Sequence, residues 1–174
     1  MIKRFLKNTS GLAAIEFAFI GPVLITMYFG VAELTQAMLA QRRVAHAAST
    51  IGDLVAQGSS ITAADFSDVW VVGQTIVSPF PTTTLKMRIT SISDSAAGAT
   101  TVTWSEGSGL TPLAKNSAIT VPASVIAANQ SIIKAEVQYT YTSPVNYVMH
   151  SPVVFSNTYY LRPRLSDKVD CADC

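Results

Sequence analysis

The chain is 174 residues long, 49% hydrophobic and only 13% charged, with twelve Lys and Arg against eleven Asp and Glu for a net charge of +1. That length leaves room for one modest domain and no second catalytic one, and so little charge suits a membrane-anchored protein better than a freely soluble one. Five basic residues precede residue 61 and seven follow it. The concentrated positive face that nucleic-acid phosphates demand is therefore missing, and nucleic acid is not expected as a partner.

At the N-terminus Lys3, Arg4 and Lys7 stand before Asn8, Thr9, Ser10 and Gly11, a polar, small-residue segment that breaks the helical pattern and leaves backbone accessible. Residues 12–32 then run for 21 residues with Glu16 as their sole charge, close to the ~20 that a helix rising about 1.5 Å per residue needs to cross a hydrocarbon core. Such a run is too long for the roughly 7–15-residue apolar core of a secretory signal. A permanent anchor, or a leader removed ahead of a membrane helix, both stay open. Three basic residues before the span against Arg42 and Arg43 beyond it favour a cytoplasmic N-terminus. A carboxylate inside the span is costly: it marks contact with another helix, an amine or a water path, unless Glu16 lies near enough to the interface to reach water. Gly21-Pro22 predicts a kink at Pro22, because proline lacks an N–H and clashes with the carbonyl four residues back. Gly and Pro are also common in membrane helices, so no function is drawn from them.

The run Gly11-Leu12-Ala13-Ala14-Ile15-Glu16-Phe17 resembles the processing site of type IV prepilins and pseudopilins, where a short basic leader ends in Gly and Glu stands fifth in the mature chain. Residues 11–57, with Ile15-Glu16-Phe17-Ala18, Pro22, Gly30-Val31-Ala32-Glu33, Gln41-Arg42-Arg43 and Ala47-Ala48, are similar to the N-terminal region of the TadE-like family, which serves the Tad or Flp-type pilus. The resemblance implies cleavage between Gly11 and Leu12 by a prepilin peptidase. It also implies recognition and assembly roles for Glu16 and Phe17, although Flp-type sites usually carry Tyr after the Glu. The Glu16 carboxylate would pair with the freed α-amine of Leu12 on a neighbouring subunit, neutralising two charges that are each expensive in hydrocarbon. Implied partners are the inner membrane, the peptidase, other pilin or pseudopilin subunits and the Tad secretion platform. The implied topology is a single pass with the N-terminus cytoplasmic and the C-terminal domain periplasmic, on the inner membrane or in an extracellular pilus.

Beyond Glu33 the helical pattern becomes one-sided. Ala37, Gln41, Val44, Ala48, Ile51 and Val55 recur at three- and four-residue spacing, with Arg42, Arg43, His46, Ser49, Thr50, Asp53 and Gln57 opposite. One helix therefore runs from the membrane into water and ends at Gly58-Ser59-Ser60. Its Ala-rich stripe suits close packing on a sheet. Thr62 predicts a capped helix over residues 63–77, closed by Pro79 and Pro81. Residues 85–92 alternate with period two and pair as a hairpin with residues 100–104 across a turn at 94–98, while residues 132–141 and 153–161 are two further strands. The expected fold is α+β and pilin-like, a long N-terminal helix on a small antiparallel sheet of about four strands. Its parts are a leader (1–11), a transmembrane and amphipathic helix (12–58) and a periplasmic domain (59–174).

Cys171 and Cys174 form a Cys-x-x-Cys at the C-terminus. In a periplasmic domain a disulfide is the leading reading, though so small a ring constrains the unfolded chain by only about 2 kcal/mol. A redox thiol pair usually opens a helix in a thioredoxin-like setting, and zinc would need His46 and His150 as distant ligands. Cross-linking between subunits also stays open. No phosphate loop, His-Glu-x-x-His, Gly-x-Ser-x-Gly or Asp-rich calcium loop occurs, and Gly107-Ser108-Gly109 reads as a flexible turn, so neither catalysis nor a cofactor or metal is expected. Two functions remain: a TadE-like minor pilin or pseudopilin acting in Tad pilus assembly for surface adherence, or a permanently tethered periplasmic thiol/disulfide protein.

Overall fold

The apolar stretch and the one-sided segment after it form a single helix, α1 (Leu12–Ala56), in the computed structural model, which describes residues 11–95, 99–122 and 124–174. The basic residues of the expected leader, Lys3, Arg4 and Lys7, and most of the turn at 94–98 lie outside the described residues. The helix is unbroken through Pro22, whose carbonyl accepts the Thr26 hydroxyl at 2.9 Å. It is followed by β1 (Ser60–Ile61), α2 (Phe66–Val77), β2 (Leu85–Asp94), β3 (Thr100–Ser108), β4 (Ser131–Tyr141), β5 (Val153–Leu161) and β6 (Asp170–Cys171). The fold is α+β. Contacts divide the chain into two units, one of α1 up to Met38 with the loop Thr142–Pro152, the other of Leu39–Tyr141 with Val153–Cys174.

In the second unit the four long strands form one antiparallel sheet in the order β3-β2-β4-β5. Period-two alternation sets its faces. Leu85, Met87, Ile89 and Ser91 of β2 stand opposite Tyr139, Val137, Ala135 and Ile133 of β4, and all eight are buried. On the other face Arg88 stands opposite Glu136 and pairs with it at 2.8 Å, and Lys134 adds a contact to the same carboxylate at 2.9 Å. A register shift between Ser91 and Ile92 accompanies burial of both neighbours, as a bulge re-aims side chains.

The part of α1 in this unit lies on the buried face of the sheet. Ala40, Val44, Ala47, Ala48, Ile51, Val55 and Ala56 are buried, while Arg42 and His46 are exposed. The approach is close: a Cβ placed on Gly52 would come within 2.9 Å of Ala135 Cβ and 2.6 Å of Leu161 Cδ1, so nothing larger than glycine fits there. A Cβ on Gly73 of α2 would meet Met87 Sδ at 2.5 Å and Ile51 Cγ2 at 3.3 Å. Small residues on both helices thus let two helices and a sheet share one core.

The structure departs from the sequence reading at four places. Gln41, expected on the apolar stripe, is exposed. Arg43, expected opposite it, is half-buried, and its guanidinium donates to the carbonyls of Ile76, at 3.2 Å, and Ser78, where α2 ends without a basic residue of its own. The second helix begins at Phe66 because Asp65 Oδ2 accepts both the Thr62 backbone N–H and its hydroxyl, at 2.9 and 2.8 Å, and that turn occupies residues 62–65. Finally, Gly107 and Ser108 belong to β3, and only Gly109, at φ +76°, turns the chain.

Ile51 is fully buried against α2 and His46 is exposed on the same helix. Ile51→Asp is expected to destabilise the domain by several kcal/mol, about 2 kcal/mol from lost apolar burial and the rest from an unpaired carboxylate. His46→Asp should stay within about 0.5 kcal/mol of the parent. Chemical denaturation of the two variants side by side measures the difference, and equal midpoints would overturn the helix-on-sheet packing.

Candidate functional site

The residues singled out at the N-terminus cluster on the first turns of α1. Leu12 opens the helix directly after Gly11, whose carbonyl accepts the Ile15 N–H at 3.2 Å. Both are exposed, and among the described residues nothing lies within 4 Å of a Cβ placed on Gly11. Glu16 and Phe17 are exposed one turn further on, and the Glu16 carboxylate has no hydrogen-bond or ion-pair partner among the described residues. From Leu12 to Val31 nearly every large apolar side chain is more than half exposed, so the described residues leave most of this segment uncovered. The helix is long and apolar enough to cross a membrane.

A second constellation escaped the sequence reading. Glu33, the first residue beyond the apolar stretch, is only 1% exposed. Its carboxylate accepts four hydrogen bonds from the β4–β5 loop. Oε1 takes the Ser143 hydroxyl at 2.9 Å and the Tyr147 N–H at 2.7 Å; Oε2 takes the N–H groups of Val148 at 2.9 Å and Met149 at 2.6 Å. Three successive backbone donors converge because Asn146 sits in the left-handed region at φ +52°, its own N–H bonded to Ser143 Oγ at 3.2 Å. That is the concave donor arrangement that holds anions in backbone nests. Burial alone would push the carboxyl up; the N–H groups of Met149, Tyr147 and Val148 and the Ser143 hydroxyl outweigh it and bring it down from an ordinary 4.5 to about 2. The same loop packs on the helix through Tyr147, whose ring centroid lies 5.3 Å from that of Phe29 and whose hydroxyl is 3.4 Å from Thr26 Oγ1.

The C-terminal pair is joined by a disulfide between Cys171 and Cys174. The tail around it is built into the domain. Asp170 and Cys171 of β6 run parallel to Ser60 and Ile61 of β1, Ala63 N–H donates to Asp173 at 3.0 Å, and Trp104 Nε1–H donates to the Val169 carbonyl at 2.8 Å. Cys171, Asp173 and Cys174 are the one cluster of three ligand-type side chains among the described residues, and its sulfurs are already bonded to each other. His46 and His150 do not join it; His150 Nδ1 is 3.0 Å from the Val148 carbonyl.

Residues 11–52 match the family model described as TadE-like protein. No curated protein and no solved structure matches the chain. The resemblance read from the sequence is thus present in the N-terminal segment, about a quarter of the chain. It supports a protein associated with a Tad pilus, and the apolar helix supports anchoring in a membrane.

Because the folded value of Glu33 lies below its unfolded one, the stabilisation from its cage is fully present above about 4.5 and is lost as pH falls towards about 2. Hydrogen exchange at the amides of Tyr147, Val148 and Met149, expressed as protection over the intrinsic rate, is expected to be constant above that window and to drop within it. Glu33→Gln should remove most of that protection at neutral pH, since the amide offers one acceptor oxygen where the carboxylate offers two and turns an NH2 towards N–H donors.

Proposed function

We propose that this chain is a TadE-like minor pilin or pseudopilin. It is anchored by residues 12–32 with its N-terminus cytoplasmic and residues 59–174 periplasmic, is cut between Gly11 and Leu12 by a prepilin peptidase, and acts in assembly of a Tad pilus for surface adherence. The observation that carries this reading is the coincidence at one place of three things: the start of the TadE-like match at Gly11, the start of α1 at Leu12, and an exposed Glu16 five residues after the glycine. Its partners would be the peptidase, neighbouring subunits and the secretion platform, and the chain itself would catalyse nothing. The thiol reading has less behind it: Cys171 ends a two-residue strand, its partner follows three residues later, and among the described residues no helix begins there.

The open surroundings of Gly11 make the test sharp. A side chain there meets no described residue, so the fold tolerates one, and any requirement for glycine comes from an enzyme that must approach the backbone closely. Gly11→Leu is expected to leave the precursor uncleaved with its folded domain intact, read from the mass of the N-terminus. A parent chain found to begin at Met1, or normal maturation of the variant, would remove the prepilin reading in favour of a simple tether.

Glu16→Ala changes an exposed helical position to the best helix former. It should spare membrane insertion and abolish assembly, by leaving the Leu12 amine of a neighbour unpaired in hydrocarbon. Normal pilus formation by that variant would show the carboxylate to be incidental.

A further inference from the structure

We propose that the tip of the β4–β5 loop, residues 145–148, forms a second contact of this chain with the lipid bilayer, inserted at the membrane interface beside α1 and held there by the Glu33 clamp. This rests on membrane anchoring by residues 12–32 and not on the pilin role.

The first ground is depth. At about 1.5 Å per residue, Thr26 lies about 10 Å further towards the N-terminus than Glu33 along the helix. The loop is tied down at both levels, by the carboxylate of Glu33 and by the Tyr147 hydroxyl next to Thr26 Oγ1. Between them a Cβ on Gly30 would fall 3.6 Å from Val148 Cγ2, so the valine packs over the glycine. The 21 apolar residues 12–32 measure about 31 Å as a helix, one hydrocarbon thickness. The loop therefore runs alongside the last two turns of the stretch that fills the bilayer.

The second ground is chemistry. Val145, Tyr147 and Val148 are 48%, 46% and 46% exposed, an apolar tip beside a helix whose own side chains at that depth, Tyr28 and Val31, are 71% and 64% exposed. Irregular backbone is normally barred from lipid by its unsatisfied polar groups. Here the N–H groups of Tyr147, Val148 and Met149 are all taken by Glu33, and the Val148 carbonyl lies 3.0 Å from His150 Nδ1. Two tyrosines, Tyr28 and Tyr147, occupy the depth at which amphipathic rings are enriched. Lipid is the occupant this surface fits, because the tip packs beside the last two turns of the span and its N–H groups at Asn146, Tyr147 and Val148 are bonded within the chain.

The test uses the full chain reconstituted in phosphatidylethanolamine/phosphatidylglycerol vesicles with brominated acyl chains, which quench tryptophan on contact. Val148→Trp and, as a second probe against local misfolding, Val145→Trp are compared with the parent, whose Trp70 and Trp104 supply the background, and with Tyr28→Trp within the span. At least one loop probe is expected to lose as much added emission as Tyr28→Trp, and Glu33→Gln combined with that probe should return quenching to the parent level. Loop probes both quenched no more than the parent would overturn the proposal, as water, a second copy or another protein would then cover the tip. Quenching that persists in Glu33→Gln would overturn the holding role of the clamp. An unquenched Tyr28→Trp would overturn membrane anchoring and this proposal together.

Discussion

One backbone helix has to satisfy two surroundings, and the side chains of α1 change character at Glu33 to meet them. Before it, Phe17, Phe19 and Tyr28 are each more than 70% exposed and the rest of that segment is apolar all round. A surface of that kind is not stable against water and belongs in lipid or among other helices. After it, Ala40, Val44, Ala47, Ala48, Ile51 and Val55 are buried on one side. Alanine serves twice there. It is the strongest helix former, and it is small enough to bring the helix down onto Ala135 at Gly52. The rest of the domain follows from that approach: an apolar sheet face beneath, and α2 with its own glycine, Gly73, at the contact with Ile51 and Met87.

Local patterns were legible in the sequence because they repeat within a few residues. The alternation of residues 85–92, 132–141 and 153–161 reads directly as β2, β4 and β5, with ends within two residues of those observed, and the stripe on α1 was right at every apolar position. What escaped was set by partners far away in the chain. Ser143 lies 110 residues from Glu33, and no periodicity links them. Two signals were nevertheless present: a lone carboxylate at the edge of an apolar stretch, and a loop bounded by Ser143-Pro144 and Ser151-Pro152 that carries Val, Tyr, Val and Met where a solvated loop would be polar. The tail was missed for the same reason. Arg164, whose N–H bonds the Ala56 carbonyl at 2.9 Å and whose guanidinium pairs with Asp53, ties it to the end of α1, and only the fold brings those groups together. Gln41 and Arg43 mark a smaller failing, since helical spacing alone does not show where a second helix end will need a cation.

The two acidic residues of the apolar part of α1 and its border show how the same group can be closed or left open. Glu33 is enclosed by four donors of its own chain, with each oxygen accepting two bonds. Its charge is spent on holding a loop, so its loss opens that loop in the single molecule. Glu16, 17 residues earlier on the same helix, is exposed, and its carboxylate has no hydrogen-bond or ion-pair partner among the described residues. A carboxylate so placed in a hydrocarbon-length apolar segment is costly until a partner or water meets it. Replacing its side chain leaves every described hydrogen bond and ion pair in place. The two substitutions therefore separate by kind: a defect from Glu33 is visible in the isolated protein as lost amide protection, whereas replacing the Glu16 side chain breaks no hydrogen bond or ion pair among the described residues.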